Sequence, residues 1–101
     1  MYIINFFFEY GDGGFLWGED DQTKNKFGIP IDKDLLPLSK EVKCNLLNLE
    51  REYQSSINWD SPIEPSPWSD EQWNDFKKRA RQAYDDLVKE LGDEYKVIYS
   101  V

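Results

Sequence analysis

The first ten residues alternate in the way that is typical of a β-strand. From Tyr2 to Tyr10 the chain is rich in aromatic and β-branched residues, and its even-numbered positions form an apolar face. The glycine-rich run Gly11-Asp12-Gly13-Gly14 tolerates positive φ, and Phe15-Leu16-Trp17 then resumes the apolar pattern. This order predicts two antiparallel strands joined by a hairpin. We expect the even-numbered face, Tyr10 included, to be fully covered by the rest of the protein.

Helical signals begin in the next part of the chain. Asp20 or Asp21 is suited to cap a short helix through Thr23 to Phe27, because a carboxylate there accepts backbone N–H groups and complements the helix dipole. A longer helix is predicted after the N-cap Ser39, with an apolar stripe at Val42, Leu46, Leu49 and Tyr53. The stretch from Ser55 to Trp68 contains three prolines and is predicted to be the longest loop.

The strongest local signal lies at the start of the third predicted helix. Ser69 and Gln72 match a capping box, in which each side chain bonds the backbone of the other residue. Trp68 is placed to pack on Trp73 as a hydrophobic staple, and Gly92 is placed to end the helix. The apolar positions in between follow helical spacing: Trp73, Phe76, Ala80, Ala83, Tyr84, Leu87 and Leu91.

A final strand is predicted from the alternation of Tyr95, Val97, Tyr99 and Val101 with polar residues. The element order is therefore β-β-α-α-α-β. The simplest assembly pairs the last strand with the first, giving a three-stranded antiparallel sheet with the two main helices packed on one face. We predict an α+β fold in which residues 1–101 form a single domain, because a chain of this length has room for one core.

The net charge of the chain restricts the kinds of partner that it can bind. Against 20 Asp and Glu residues stand 12 Lys and Arg, which gives a formal net charge of −8. Such a field repels phosphate backbones and favours a basic protein partner, although the charge is alternatively only a solubilising feature. The basic cluster of Lys77, Lys78, Arg79 and Arg81 is interpreted as a solvated helix face. We expect no nucleic acid and, since no apolar run approaches about 20 residues, no membrane as partner.

Catalytic chemistry has few candidates in this sequence. No histidine is present, which removes the commonest general base and metal ligand. The single cysteine, Cys44, is predicted to be a small half-buried helix residue, and the lack of a disulfide framework favours a cytoplasmic location. Glu19, Asp20 and Asp21, even with Asp12, lack the spacing of a calcium loop. We predict no catalytic residue, no metal site and no cofactor.

Two predicted loops combine carboxylates with a tryptophan. They contain Trp17, Glu19, Asp20 and Asp21 in the first loop, and Asn58, Trp59, Asp60 and Glu64 in the second. Tryptophan is enriched at interface hot spots, and carboxylates around it would meet Lys and Arg side chains of a partner. We predict that these residues bind a cationic protein surface, such as the substrate groove of a nuclease. The alternative is that both tryptophans are buried and the acids are only solvated.

Motifs over most of the chain resemble those of a group of small uncharacterised bacterial proteins. They are Phe7-Phe8-Glu9-Tyr10-Gly11, Leu16-Trp17, Phe27-Gly28, Leu36-Pro37-Leu38-Ser39, Asn58-Trp59-Asp60, Pro65-Ser66-Pro67-Trp68-Ser69 and Leu91-Gly92. In size, acidity and lack of catalytic groups the chain also resembles the immunity proteins of bacterial contact-dependent inhibition and related polymorphic toxin systems. That resemblance implies neutralisation of a cognate toxin in the cytoplasm, by blocking its active site or an adjacent surface. It transfers no binding residues.

Other functions stay open at the level of sequence. The second interpretation is a structural or regulatory subunit of a cytoplasmic assembly, and a neighbouring gene for a basic toxin domain would separate the two. A carbohydrate-binding module and an enzyme with paired carboxylates are further alternatives. The sequence also leaves open whether the edge strand Phe15-Leu16-Trp17 adds a strand from a partner or is covered by the connector at 35–38.

Overall fold

The computed structural model describes residues 1–11, 14–28, 31–57, 59–61, 63 and 65–101. Within these residues, three strands and three α-helices follow one another in the predicted order β-β-α-α-α-β. They are β1 Tyr2–Phe6, β2 Leu16–Gly18, α1 Asp21–Phe27, α2 Lys40–Gln54, α3 Asp70–Leu91 and β3 Tyr95–Tyr99. A 3-10 turn at Lys33–Leu35 lies between α1 and α2. The middle of the predicted hairpin turn, Asp12 and Gly13, lies outside the described residues.

The sheet is mixed, so the prediction of an antiparallel sheet is wrong in one of its two pairings. β1 lies in the centre, with β2 antiparallel on one side and β3 parallel on the other. Parallel neighbours need a crossover connection, and here α2 and α3 form it. The chain leaves α3 beside the start of β1, where the Tyr2 N–H donates to the Glu94 carbonyl at 2.9 Å. Alternation along a strand is the same in both directions, so it does not reveal this orientation.

The helices pack on the even-numbered face of β1. Ile4 and Phe6 are fully buried there, and α3 contributes a stripe of buried side chains that lies against β3. The stripe consists of Phe76, Ala80, Ala83, Leu87 and Leu91. α2 packs beside α3, and α1 lies on β1 and β2. Phe8 is the last buried residue of this face, since Tyr10 is 38% exposed. The expectation that the whole even-numbered face is covered is therefore wrong at Tyr10.

The predicted ends of α3 are confirmed. Ser69 Oγ accepts from the Gln72 N–H at 3.2 Å, and Gln72 Oε1 accepts from the Ser69 N–H at 2.7 Å. The Trp68 and Trp73 rings pack with their centroids 4.8 Å apart, which is the expected staple. Gly92 ends the helix at a φ of 77°, a conformation that favours glycine. Local chemistry thus fixes the helix that forms most of the crossover.

A buried hydroxyl joins α1 to the first strand. Asp20 is the N-cap of α1, and its carboxylate accepts from both the N–H and the hydroxyl of Thr23. The same hydroxyl oxygen accepts from the Ile3 N–H at 3.0 Å, and Thr23 is fully buried. The hydrogen bond from the Thr23 hydroxyl holds the pKa of Asp20 below its ordinary value. One side chain therefore satisfies a strand donor and a helix cap together.

On each outer edge of the sheet, one strand carbonyl accepts a hydrogen bond from another part of the chain. On β2, the Ile31 N–H donates to the Leu16 carbonyl at 2.8 Å, so the segment just before the connector covers this edge. On β3, the Tyr84 hydroxyl of α3 reaches the Val97 carbonyl at 3.4 Å. In the described part of the chain, no helix has both the length and the apolar composition needed to cross a bilayer.

We predict that Thr23→Val destabilises the protein although valine fills nearly the same volume. The substitution leaves the Ile3 N–H without its acceptor and the Asp20 carboxylate without a hydroxyl donor. Loss of such a partner costs about 1–3 kcal/mol. Urea unfolding measures the change, and Thr23→Ser, which keeps the hydroxyl, is the control. Equal unfolding free energies for the two variants would show that the hydrogen bonds of the Thr23 hydroxyl to Ile3 and Asp20 do not contribute to stability.

A second prediction concerns pH. Because the pKa of Asp20 is lowered in the folded state, the stability it contributes is present above the ordinary carboxyl pKa of about 4 and is lost as the pH falls through the lowered value. Asp20→Asn should therefore lower the Tm at pH 7, and the difference from wild type should shrink below about pH 4. Asp21→Asn removes the same charge one residue later without touching Thr23. If the difference in Tm between wild type and Asp20→Asn stayed constant down to the pH at which the protein unfolds, the charge of Asp20 would not be the source of this stability.

Candidate partner-binding surface

Trp59 lies at the surface in a fixed position. It is 54% exposed, yet its indole N–H donates to the Gln54 carbonyl at 2.7 Å. Its ring meets Tyr10 edge-on with the centroids 6.2 Å apart, and Tyr10 in turn stacks on Tyr53 at 4.5 Å. The hydroxyl of Tyr10 is hydrogen-bonded to the Ser56 hydroxyl at 2.7 Å. We call this exposed pair the Tyr10–Trp59 patch.

The side chain of Gln54 holds the patch to the end of α2. Its Oε1 accepts from the Gly11 N–H at 3.0 Å, and its Nε2 donates to the Glu9 carbonyl at 2.8 Å and to Glu50 Oε1 at 3.1 Å. Its own backbone carbonyl, which belongs to the last turn of the helix and has no intrahelical partner, accepts from Trp59. One residue thus positions both the chain after β1 and the loop that carries the tryptophan.

Acidic residues are the sequence neighbours of both rings of the patch. Glu9 precedes Tyr10, Asp60 follows Trp59, and both residues are exposed, while Glu50 bonds Gln54. Burial raises the pKa of Tyr53 to about 12, with further contributions from Tyr10 and from the charge of Glu9. The tyrosine beneath the patch is therefore neutral at physiological pH. Exposed aromatic rings beside carboxylates attract Lys and Arg side chains, since the ring face and the acids both favour a cation.

Trp17 lies in β2 and not in a loop, which corrects the prediction, and it belongs to the odd-numbered face of the sheet. Trp17 is half-buried and stacks on Phe7 at 5.0 Å, and its indole N–H donates to the Phe7 carbonyl at 3.1 Å. Glu19 Oε1 accepts from Asn5 Nδ2 at 2.8 Å. Asp21 is exposed in the first turn of α1, next to the N-cap Asp20. Glu19 thus already accepts a hydrogen bond from the sheet, and Asp20 accepts one from α1.

The structure does not bring the two predicted loops together. The first loop contacts Asn5 and Phe7, whereas Trp59 contacts Tyr10 and the end of α2. Asn58 and Glu64, which the sequence also suggested, lie outside the described residues.

Two residues of the surface, Tyr10 and Gln54, were not among the predicted binding residues. Tyr10 is even-numbered, so the strand pattern assigned it to the covered face. Gln54 ends a helix, and nothing in the sequence marks a glutamine there as a binding residue. The exposure of Tyr10 and the hydrogen bonds of Gln54 both depend on the tertiary structure.

The remaining chemical candidates have ordinary surroundings. Cys44 is exposed on α2, and not half-buried as predicted, because it lies off the apolar stripe. In the basic cluster, Arg79 bonds Asp75 at 3.0 Å and Glu52 at 2.5 Å, and Arg81 lies 3.9 Å from Asp85. The hydrogen bond to Glu52 raises the pKa of Arg79. Across the described residues, no three His, Cys, Asp or Glu side chains are close enough to hold a metal ion.

The comparison with known families covers almost the whole chain. A family model described as Serratia CdiI immunity protein-like matches residues 4–101, which include all three helices, β2, β3 and most of β1. No curated protein matches the chain. The match agrees with the resemblance to immunity proteins of contact-dependent inhibition, and the chain belongs to the Serratia CdiI immunity protein-like family.

Proposed function

We propose that this chain is an immunity protein that binds a cognate basic toxin domain and blocks its active site or an adjacent surface. Family membership supports a toxin-neutralising role, and the net charge of −8 favours a cationic target such as a nuclease. The protein acts by binding in the cytoplasm, without catalysis and without a cofactor.

The observation that carries this proposal is the Tyr10–Trp59 patch. Trp59 exposes 54% of its surface although a hydrogen bond and an aromatic contact fix its position. A rigid, exposed tryptophan loses little conformational entropy when a partner covers it, and such residues dominate the energetics of interfaces. Apolar residues that are exposed singly are normal, but contiguous exposed apolar groups mark binding surfaces, and the rings of Tyr10 and Trp59 are in contact.

The chemistry of the patch suits a basic residue of the toxin. A Lys or Arg side chain laid on the rings would gain a cation–π interaction of about 0.5–2 kcal/mol. Glu50, which bonds Gln54, and Asp60, which follows Trp59 in the chain, would add charge-assisted hydrogen bonds, and we assign Asn58 and Glu64 of the loop that carries Trp59 to this contact region. The residues of the first loop, Trp17, Glu19, Asp20 and Asp21, are proposed as a second contact region on the other face of the sheet.

The first test uses a candidate basic toxin domain, which is sought among the genes beside the one for this chain. Co-expression with the wild-type chain should restore growth, and the purified proteins should form a complex. Trp59→Ala should weaken the affinity by about 2 kcal/mol or more, roughly 30-fold in Kd, as measured by calorimetry. Leu35→Ala is the matched control, because Leu35 is 56% exposed and lies away from the patch.

Either half of this test is able to fail. A wild-type chain that neither protects cells nor binds the toxin would sink the immunity function. Co-purification with a multi-subunit assembly instead would favour the structural-subunit alternative. Protection by the wild type with equal affinity for Trp59→Ala and Leu35→Ala would keep the function and remove the patch from the interface.

The charge of the chain leads to a further prediction about rates. Electrostatic steering should make association with the toxin fall at least about ten-fold between about 50 and about 500 mM salt, while dissociation changes less. A fluorophore on Cys44, which is exposed and lies about 15 Å along α2 from Gln54, reports binding in stopped-flow mixing. An association rate that does not change with salt concentration would show that the acidic surface does not face the toxin.

A further inference from the structure

An aromatic pocket opens where the end of β1 meets α2 and the first turns of α3. Its volume is about 230 Å³. Five aromatic residues form most of its wall: Phe7, Phe8, Tyr53, Trp73 and Phe76. The rings support one another, with the centroids of Phe8 5.4 Å from Tyr53 and 5.5 Å from Phe76. Such mutual packing gives the pocket a fixed shape before anything enters it.

The size of the pocket restricts what it holds. Sites for whole small molecules have volumes of about 300–1,000 Å³, whereas a cavity of about 150 Å³ accepts a benzene molecule. A volume of about 230 Å³ lies between these limits. It suits a single aromatic or branched aliphatic side chain, which the apolar walls would remove from water.

One charged side chain, that of Lys77, contributes to the lining. Lys77 is exposed, and in the described part of the chain no carboxylate lies within 4.0 Å of its Nζ, whereas Arg79 and Arg81 of the same helix both pair with carboxylates. A cation at the rim of an apolar pocket favours an apolar group that has a carboxylate beside it.

The pocket adjoins the Tyr10–Trp59 patch through Tyr53. The Tyr53 ring is part of the pocket wall, and Tyr10 stacks on the same ring at 4.5 Å. An interface of ordinary size, about 800 Å² per partner, covers both features at once. The two would then present an acidic aromatic surface and a basic apolar pocket side by side.

We propose that this pocket receives one aromatic or branched aliphatic side chain of the toxin, and that Lys77 pairs with a carboxylate beside that side chain. The inference rests on the proposed immunity function. Most of the charge of this protein is negative, so the positive charge of Lys77 restricts how a basic toxin can dock. A toxin that placed a basic residue over Lys77 would be repelled. The pocket thus contributes selectivity for the cognate toxin in addition to affinity.

The pocket itself is tested without the toxin, by nuclear magnetic resonance with two small probes. 3-Phenylpropionate and 2-phenylethylamine have the same ring and a similar chain but opposite charges. We expect 3-phenylpropionate to shift the indole N–H resonance of Trp73 and the amide of Lys77, and to bind at least five-fold more tightly than the amine. Absence of shifts with both probes, or equal affinity for both, would overturn the proposal.

The toxin complex is tested with a pair of charge reversals. Lys77→Glu should weaken binding of the toxin at least ten-fold and Lys77→Gln less, whereas Lys78→Glu, the same change on the next exposed residue of α3, should alter Kd less than two-fold. Thermal unfolding confirms that all three variants fold. Equal effects of Lys77→Glu and Lys78→Glu, with Trp59→Ala still impaired, would refute the pocket and leave the immunity function standing. A wild-type chain that does not bind the toxin would refute the function, while the probe experiment still reports on the pocket.

Discussion

The pairing of the first strand with the last is the contact on which the rest of the structure depends. β1 and β3 run parallel over five residue pairs, from Tyr2 beside Tyr95 to Phe6 beside Tyr99, and the Ser100 N–H extends the ladder to the Phe6 carbonyl. The two helices of the crossover pack against the face that this pairing creates. Because the contact joins the two ends of the described chain, its formation carries a large loop-closure cost, which the burial of α3 offsets.

A continuous series of aromatic contacts leads from this core to the surface. Phe76 packs on Phe8, Phe8 on Tyr53, Tyr53 on Tyr10 and Tyr10 on Trp59. Phe76 and Phe8 are buried, Tyr53 is half-buried and the outer two rings are exposed, so the core itself supports the exposed end of the series. Rigid support of this kind lowers the entropy cost of covering the outer rings. It explains how a loop with three prolines presents a tryptophan in one orientation.

Local chemistry in the sequence predicted much of the fold. The caps at Asp20, Ser39 and Ser69 and the tryptophan staple are confirmed, because each depends on residues a few positions apart. The direction of β3 was predicted wrongly, since strand alternation has no direction. The exposure of Tyr10 also differs from the prediction, because parity assigns a face but does not show where the covering helices end.

The candidate surface was only partly visible in the sequence. Composition pointed to Trp59 and its neighbouring acids as binding residues, and the structure shows that Trp59 is exposed. Gln54 was missed, because its role depends on three backbone segments that meet only in the fold. The aromatic pocket was missed for the same reason: its walls come from the two residues after β1, from α2 and α3, and from the segment after β3.

The engagement of both sheet edges has a consequence for the behaviour of concentrated protein. An unpaired edge is a template on which identical chains add strands, and this is the first step of ordered aggregation. Here the Ile31 N–H occupies a carbonyl of β2, and the Tyr84 hydroxyl occupies a carbonyl of β3. A second molecule would have to displace these groups before its own strand could pair. At these two positions, the contacts that complete the sheet therefore also oppose the addition of a strand.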